Sequence, residues 1–280
     1  MSVETSRISL AGPPVNGFGP KFEVPADAEL AVLTLNRADE LNPLDHDTIR
    51  ALRAALAVLD AEPQVRAIAI TGAGRAFSAG GDMKKYLSMQ GDTVGFPAFL
   101  SDLHTLLTEI GAAATPVIAL VNGVAVAGGL ELLLGCDFAV AAESARIGDA
   151  HLPYGQMGGG GSLTLLPRAV GPARARELVF SGRLLAAAEA RDWGLVSQVV
   201  PDDDLQAAGA EIARGIATRS PLALAHAKRT LNAAYWDGTA VTAGLRLERE
   251  TASRYFMTSA DAHEGIVAFT EKRSPKFTGR

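Results

Sequence analysis

Two glycine-rich segments constrain this chain more than any other feature, because each follows a short β-rich run and each precedes a helical pattern. The first reads Thr71-Gly72-Ala73-Gly74-Arg75-Ala76-Phe77-Ser78-Ala79-Gly80-Gly81-Asp82, and the second reads Asn122-Gly123-Val124-Ala125-Val126-Ala127-Gly128-Gly129-Leu130-Glu131. Glycine lets a backbone approach a neighbour or ligand closely, and the first N–H groups of a helix lack partners within it and lie at its electropositive end. Two such turns facing one another suit an oxyanion hole, in which paired N–H donors stabilise negative charge on a carbonyl oxygen. The same glycines also suit tight packing and sharp turns.

Around these turns, β-rich and helical patterns alternate. An apolar run at 30–35 is followed by a helical pattern from Asp45 with Ile49, Leu52, Leu56 and Leu59 on one face, then by a second run at 65–71. Phe99, Leu103, Leu106, Leu107 and Ile110 mark another helix, and 117–121, 136–141 and 196–200 read as buried strands. After Pro201 strands disappear, and 202–219, 221–235, 239–257 and 260–271 all read as helices. The expected organisation is an extended arm at 1–28, an α/β core at 29–200 and a helical C-terminal region at 201–280, with no linker and no fixed-period repeat.

Composition narrows the function. A chain of 280 residues that is 48% hydrophobic can bury a sizeable core. The 26 basic and 31 acidic residues leave a net charge of −5, which argues against nucleic acid as a partner. The single cysteine, Cys136, builds neither a disulfide framework nor a cysteine zinc site, and no motif demands a metal. Residues 1–15 lack the apolar run of a secretory signal, so a cytoplasmic location is expected. The uncharged stretch 110–130 is long enough to span a bilayer, yet Pro116, Asn122 and four glycines interrupt it, so a strand, a turn and a helix start explain it better than a membrane span. Neither glycine-rich turn is a P-loop or reads GxGxxG, and the run 158–161 fails as a phosphate motif too. Ala76-Phe77-Ser78-Ala79-Gly80 lacks the first glycine of a nucleophile elbow, which counts against a serine hydrolase.

Taken with the two turns, several further motifs resemble the crotonase superfamily, whose best-known member is enoyl-CoA hydratase. They are Leu35-Asn36-Arg37 with Asn42, Cys136-Asp137, Leu166-Pro167-Arg168 with Gly171, Ala190-Arg191-Asp192-Trp193-Gly194-Leu195-Val196 and Phe269-Thr270-Glu271-Lys272-Arg273. The resemblance implies a spiral of ββα units with a helical C-terminal region, assembled as a homotrimer or as a hexamer of two trimers. It implies oxyanion-hole N–H groups at Gly81 and Gly128, acting on the thioester carbonyl of an acyl-CoA. Glu131, nearly one helical turn beyond Gly128, corresponds to the family's glutamate for water activation and proton transfer. Coenzyme A contacts map onto Ala79, Gly81, Asp82 and Met83, and onto Lys84, which meets the phosphates or is a solvated surface lysine. Lys272, Arg273 and Lys276 form a C-terminal basic patch suited to the 3′-phosphate, and Met83, Tyr86, Leu87, Phe96 and Phe99 wall the acyl tunnel or belong to the core.

One position departs from the hydratase pattern. Where hydratases carry a second glutamate, the segment Ile147-Gly148-Asp149-Ala150-His151-Leu152-Pro153-Tyr154-Gly155 places His151. An imidazole titrates near neutrality and both accepts and donates protons, so Glu131 and His151 are the expected acid/base pair. Asp149, two residues earlier on a possible strand, shares its face and is placed to orient the ring. The implied reaction is hydration of a trans-2-enoyl-CoA to a 3-hydroxyacyl-CoA by a lyase of fatty acid metabolism, with coenzyme A present only as part of the substrate and no other cofactor. Enoyl-CoA isomerisation, a β-diketone-type C–C hydrolysis using His151, and a non-catalytic acyl-CoA-binding homologue are the alternatives.

Overall fold

The computed structural model describes residues 21–23, 29–236 and 238–280. Strand β1 (Lys21–Glu23) is followed by β2 (Leu30–Leu35), α1 (His46–Asp60), β3 (Ala67–Gly72) and β4 (Ala76–Ser78). Helices α2 (Met83–Met89) and α3 (Gly95–Ala112) lead to β5 (Val117–Val121), β6 (Val124–Val126) and α4 (Gly128–Gly135). The core then adds β7 (Phe138–Ala142), β8 (Arg146–Gly148), α5 (Ser162–Val170), α6 (Pro172–Ser181), β9 (Leu185–Ala186), α7 (Ala187–Asp192) and β10 (Gln198–Val200). Helices α8 (Leu205–Ala217), α9 (Pro221–Tyr235), α10 (Val241–Thr258) and α11 (Ala260–Glu271) close the chain.

The strands form two sheets. The larger has the order β1-β2-β3-β5-β7-β10, parallel except for the antiparallel β1–β2 pair, and the smaller has the order β4-β6-β8-β9. The pairs β3/β4, β5/β6 and β7/β8 each send one strand to the large sheet and the next to the small one, so every turn of the chain advances both sheets by one strand. This is the ββα spiral expected of an α/β crotonase-like fold with a helical C-terminal region.

Strands β3 and β5 are buried along their whole length, as parallel strands covered on both faces must be. On one face α1 presents Ile49, Leu52, Leu56 and Leu59, with Asp45 capping it by accepting from Thr48 N–H. On the other face α8 covers Leu30, Ile118, Leu120 and Val140 with Leu205 and Ala213. Helix α4, GGLELLLG, is buried on all sides and lies inside the core rather than across a membrane. Among the described residues, no helix is long and apolar enough to cross a bilayer.

The structure adds what periodicity did not show. The small sheet is built from strands of two or three residues, and α5, α6 and α7 are short helices in a stretch punctuated by Pro167, Gly171 and Gly182, although α5 buries an apolar face of Leu165, Leu166 and Val170. Helices α9 and α11 coincide with the expected 221–235 and 260–271. Within the 1–28 arm, residues 21–23 form a sheet-edge strand, and 1–20 and 24–28 lie outside the described residues.

The start of α4 packs against the end of β4. A Cβ on Gly129 would collide with the Ser78 carbonyl oxygen, a backbone atom that cannot swing aside. Gly129→Ala is therefore expected to destabilise the fold by about 1–3 kcal/mol. Gly215→Ala, on α8 with nothing within 4 Å of the new methyl, is expected to stabilise it by about 0.5–1 kcal/mol. Denaturant unfolding of both variants checks the pair; equal effects would contradict the close approach.

Candidate active site

The two glycine-rich turns face each other across the start of α4. A Cβ on Gly80 would stand 2.9 Å from the Gly128 nitrogen, and Gly80 has φ 94°, which favours glycine. Leu44 N–H donates to the Gly80 carbonyl at 2.7 Å and the Leu44 carbonyl accepts from Asp82 N–H at 3.2 Å. These bonds flank Gly81, so its own N–H points away from Leu44 and donates to no described residue. Gly128 opens α4, where its N–H has no acceptor within the helix. Before it, Ala127 is held at φ 52°, ψ −120°, by donating its N–H to the Gly148 and Asp149 carbonyls at 3.3 and 2.9 Å. A non-glycine residue in such a conformation costs about 1–3 kcal/mol, which the surrounding bonds must offset. The free N–H groups of Gly81 and Gly128 thus lie on two turns locked against each other.

Arg37 fixes the first turn. Its guanidinium donates to Asp45 Oδ2 at 2.8 Å, Asp82 Oδ2 at 2.9 Å and the Glu40 carboxylate at 2.9–3.0 Å. Asp82 Oδ1 accepts from Lys84 and Lys85 N–H, capping α2, so one arginine ties together the caps of α1 and α2. Burial works against the charges of Asp45 and Asp82, yet their cationic and N–H partners hold both carboxyls below the usual range. Asn42 and Asn122 complete the scaffold by donating to carbonyls of the β3–β4 turn: Asn42 to Ala73 and Ala76, Asn122 to Gly74 and Ala76. Arg37 and Asn42 stand in the sequence as parts of a family motif, and the structure shows what they hold.

Glu131, 2% exposed, sits one turn into α4. Its Oε1 accepts from the backbone N–H of Gly160 at 2.8 Å and of Ser162 at 3.2 Å. A Cβ on Gly160 would collide with Oε2 and with Leu103, so glycine at 160 lets the backbone close on the carboxylate. The run serves an anion after all, one supplied by the chain itself. Burial raises the carboxyl of Glu131 above its ordinary value, against the opposing pull of Ser162 N–H, the His151 charge and Gly160 N–H.

His151 lies on the same side of the site. Its Nδ1 is 3.1 Å from Asp149 Oδ1, in an ion-pair contact rather than an aligned hydrogen bond, which leaves Nε2 as the free ring nitrogen. The two residues meet for a reason other than strand alternation. Strand β8 ends at Gly148, and Ala150 at φ 52° reverses the chain before His151 enters a 3₁₀ turn at Leu152–Tyr154. Burial opposes the imidazolium, but Asp149, followed by Glu131, outweighs it, so His151 titrates above its usual 6.5. Asp149, 1% exposed, is disfavoured as an anion by burial yet held low by His151 and the nearby Ser162 hydroxyl. Gly81, Gly128, Glu131 and His151 therefore converge on one buried region.

The expected coenzyme A contacts divide. Ala79 and Asp82 N–H groups are already donated to the Leu41 and Leu44 carbonyls, and the Asp82 side chain is committed to Arg37. Met83 is exposed, and so is Lys84, which has no ion-pair partner among the described residues; neighbouring Lys85 is bound to Asp45 at 2.8 Å. In the C-terminal patch, Arg273 is engaged with Glu264 and Glu271, while Lys272 and Lys276 make no ion pair among the described residues. Of the apolar set, Phe99 belongs to the core, Tyr86 and Phe96 stand against it, and Met83 and Leu87 face outward. A cavity of about 770 Å³ lies behind α4 near Cys136 and α9 and is lined by none of these site residues.

Comparison with known proteins follows this geometry. The family model described as enoyl-CoA hydratase/isomerase matches residues 26–280. The probable enoyl-CoA hydratase echA8 of Mycobacterium bovis is 38% identical over 257 residues, covering 92% of this chain and 97% of the relative. The mitochondrial methylglutaconyl-CoA hydratase of Rattus norvegicus is 35% identical, covering 89% and 79%. The crystal structure of an enoyl-CoA hydratase from Bacillus anthracis superposes with a TM-score of 0.87 at 34% identity, covering 93% of this chain and 99% of that one.

The Asp149–His151 contact makes a pH-dependent expectation. Because the folded-state value of His151 is raised, the pair stabilises the fold fully below about pH 6.5, and that contribution fades as pH rises through the folded value. In Asp149→Asn the burial remains and the carboxylate charge is lost, so the His151 midpoint followed by ring NMR is expected to fall. An unmoved midpoint would contradict the pairing.

Proposed function

The chain belongs to the enoyl-CoA hydratase/isomerase family, and from that premise we propose that it adds water across the 2,3-double bond of a trans-2-enoyl-CoA. The observation that carries this reading is a buried carboxylate, Glu131, three residues from the free helix-terminal N–H of Gly128, with Gly81 on the facing turn. In this reading the thioester oxygen accepts from the N–H groups of Gly81 and Gly128. Glu131 takes a proton from water as the water oxygen bonds to Cβ, and the π electrons move onto the thioester as an enolate. The two donors stabilise that charge; removing one such donor typically costs about 2.7–4 kcal/mol of barrier. The enolate collapses as Cα receives a proton from His151 in its imidazolium form. A raised midpoint for His151 suits a proton donor near neutral pH, and a raised Glu131 suits an acceptor with basicity above an ordinary carboxylate.

His151 in place of a glutamate also favours a second reading, an isomerase, in which no water adds. A 3-enoyl-CoA loses a proton from Cα to give a dienolate held by the same two N–H donors, and a proton returned to Cγ yields the 2-enoyl-CoA. Both readings require no cofactor beyond the coenzyme A of the substrate. We further propose a homotrimer, or a hexamer of two trimers. Val241, Leu245, Phe256, Met257 and Phe269 on α10 and α11 are exposed, and apolar surface of this kind is what an oligomer covers.

Glu131→Gln is expected to retain the fold and thioester binding and to lose about 10²- to 10⁴-fold in turnover. Near-normal turnover would remove Glu131 from the mechanism. His151→Glu is expected to retain hydration, since it restores two carboxylates, whereas hydration gained only in that variant would favour the isomerase reading. For assembly, light scattering at micromolar concentration is expected to give a trimer or its multiple; a stable monomer would contradict it.

A further inference from the structure

Three buried polar atoms beside the acid/base pair lack a hydrogen-bond partner among the described residues: Asp149 Oδ2, His151 Nδ1 and Ser162 Oγ. They stand together. A Cβ on Gly158 would collide with Ser162 Oγ and lie 3.2 Å from His151 Nδ1, so the hydroxyl and the ring nitrogen flank one spot that glycine leaves clear. Nδ1 is in turn 3.1 Å from Asp149 Oδ1, which also accepts from His151 N–H at 3.3 Å. Asp149 Oδ2 is thus the carboxylate oxygen left over. Ser162 is wholly buried and Asp149 is 1% exposed, out of reach of bulk water, and buried polar groups are ordinarily paired.

Serine, histidine and aspartate are the residue types of a nucleophilic triad, but the geometry excludes one. A triad sets its serine and its carboxylate at opposite ring nitrogens. Here both lie on the Nδ1 side of the ring, and Ser162 Oγ is sealed from any substrate. Hydrogen-bond accounting gives the hydroxyl a different task. A carboxylate oxygen only accepts and Nδ1–H is turned to Oδ1, so the Ser162 O–H is the free donor that matches Oδ2. The hydroxyl already lies close enough to Asp149 to help hold its carboxyl low. The backbone of Ser162 is pinned where it opens α5: the Gly161 carbonyl accepts from Thr164 and Leu165 N–H, and Ser162 N–H donates to Glu131 Oε1 at 3.2 Å.

We infer that Ser162 is a positioning residue that joins the two halves of the acid/base pair: its hydroxyl donates to Asp149 Oδ2 and fixes the carboxylate that orients His151, while its N–H holds Glu131. As a role in catalysis this rests on the acyl-CoA reading above. The link itself is readable without substrate.

The test follows the His151 midpoint by ring NMR in the full-length protein, its signal assigned by its loss in His151→Gln. Asp149 and, after it, Glu131 are the charged groups that act on this ring. A hydroxyl turned toward Asp149 competes with the imidazolium for the same carboxylate, so Ser162→Ala is expected to raise the midpoint. In an Asp149→Asn background the same substitution is expected to leave the midpoint in place, because the carboxylate that carries the effect is gone. Should Ser162→Ala not fold, Ser162→Cys, a weak donor of similar shape, is read in the same two backgrounds, with a smaller rise expected. Turnover of a trans-2-enoyl-CoA by Ser162→Ala is expected to fall roughly tenfold in kcat, the size of one hydrogen bond, with KM little changed. A midpoint that does not move, or that moves equally in both backgrounds, would overturn the inference while the acyl-CoA reading stands. A wild type inactive on every enoyl-CoA would instead overturn that reading, and the catalytic role of Ser162 with it.

Discussion

A notional Cβ on Gly80 would stand 2.8 Å from the Ala127 Cβ and 2.9 Å from the Gly128 nitrogen, so no side chain fits at position 80, where the two turns meet. That close approach places the two unpartnered N–H groups, one on each sheet-to-helix turn. The ββα spiral supplies it, because each circuit of the chain ends a small-sheet strand beside the previous one: β4 delivers the Gly80–Gly81 turn and β6 delivers Ala127–Gly128. Strain at Ala127 and the collision that awaits any residue larger than glycine at 129 are the local costs of the arrangement.

Charge holds the arrangement in place. Arg37 is shared by Asp45 and Asp82, both largely buried, and a buried pair left without one partner typically destabilises a protein by about 3–5 kcal/mol. The clamp acts on the caps of α1 and α2, so the turn that carries the Gly81 N–H is held from outside by a network of charges. Across the site, Glu131 and His151 each favour the other's charged form, while burial opposes both. Both groups are shifted upward within one buried region, the direction that suits the proposed acid–base roles.

Much of this was legible in the sequence. Helices with a clean apolar face, such as α1 with Ile49, Leu52, Leu56 and Leu59, and fully apolar strands such as β5 announce themselves by period and composition. Strands of two or three residues carry no period, so the small sheet stayed hidden although the spiral depends on it. The glycine run at 158–161 matches no phosphate motif, and nothing in one dimension shows that its partner is the chain's own Glu131. The contact between Asp149 and His151 was expected from strand alternation and arises from a left-handed Ala150. Tyr86 was grouped with apolar neighbours, because only three dimensions show its hydroxyl beside Gly81.

Addition of water to a conjugated thioester is checked by incubating the purified protein with trans-2-enoyl-CoAs of graded chain length in ¹⁸O-labelled water, following the conjugated absorbance and the product mass. The absorbance is expected to fall, with one solvent oxygen incorporated in a 3-hydroxyacyl-CoA. Absorbance that persists across the whole series, or that falls with no solvent oxygen in the product, would contradict it.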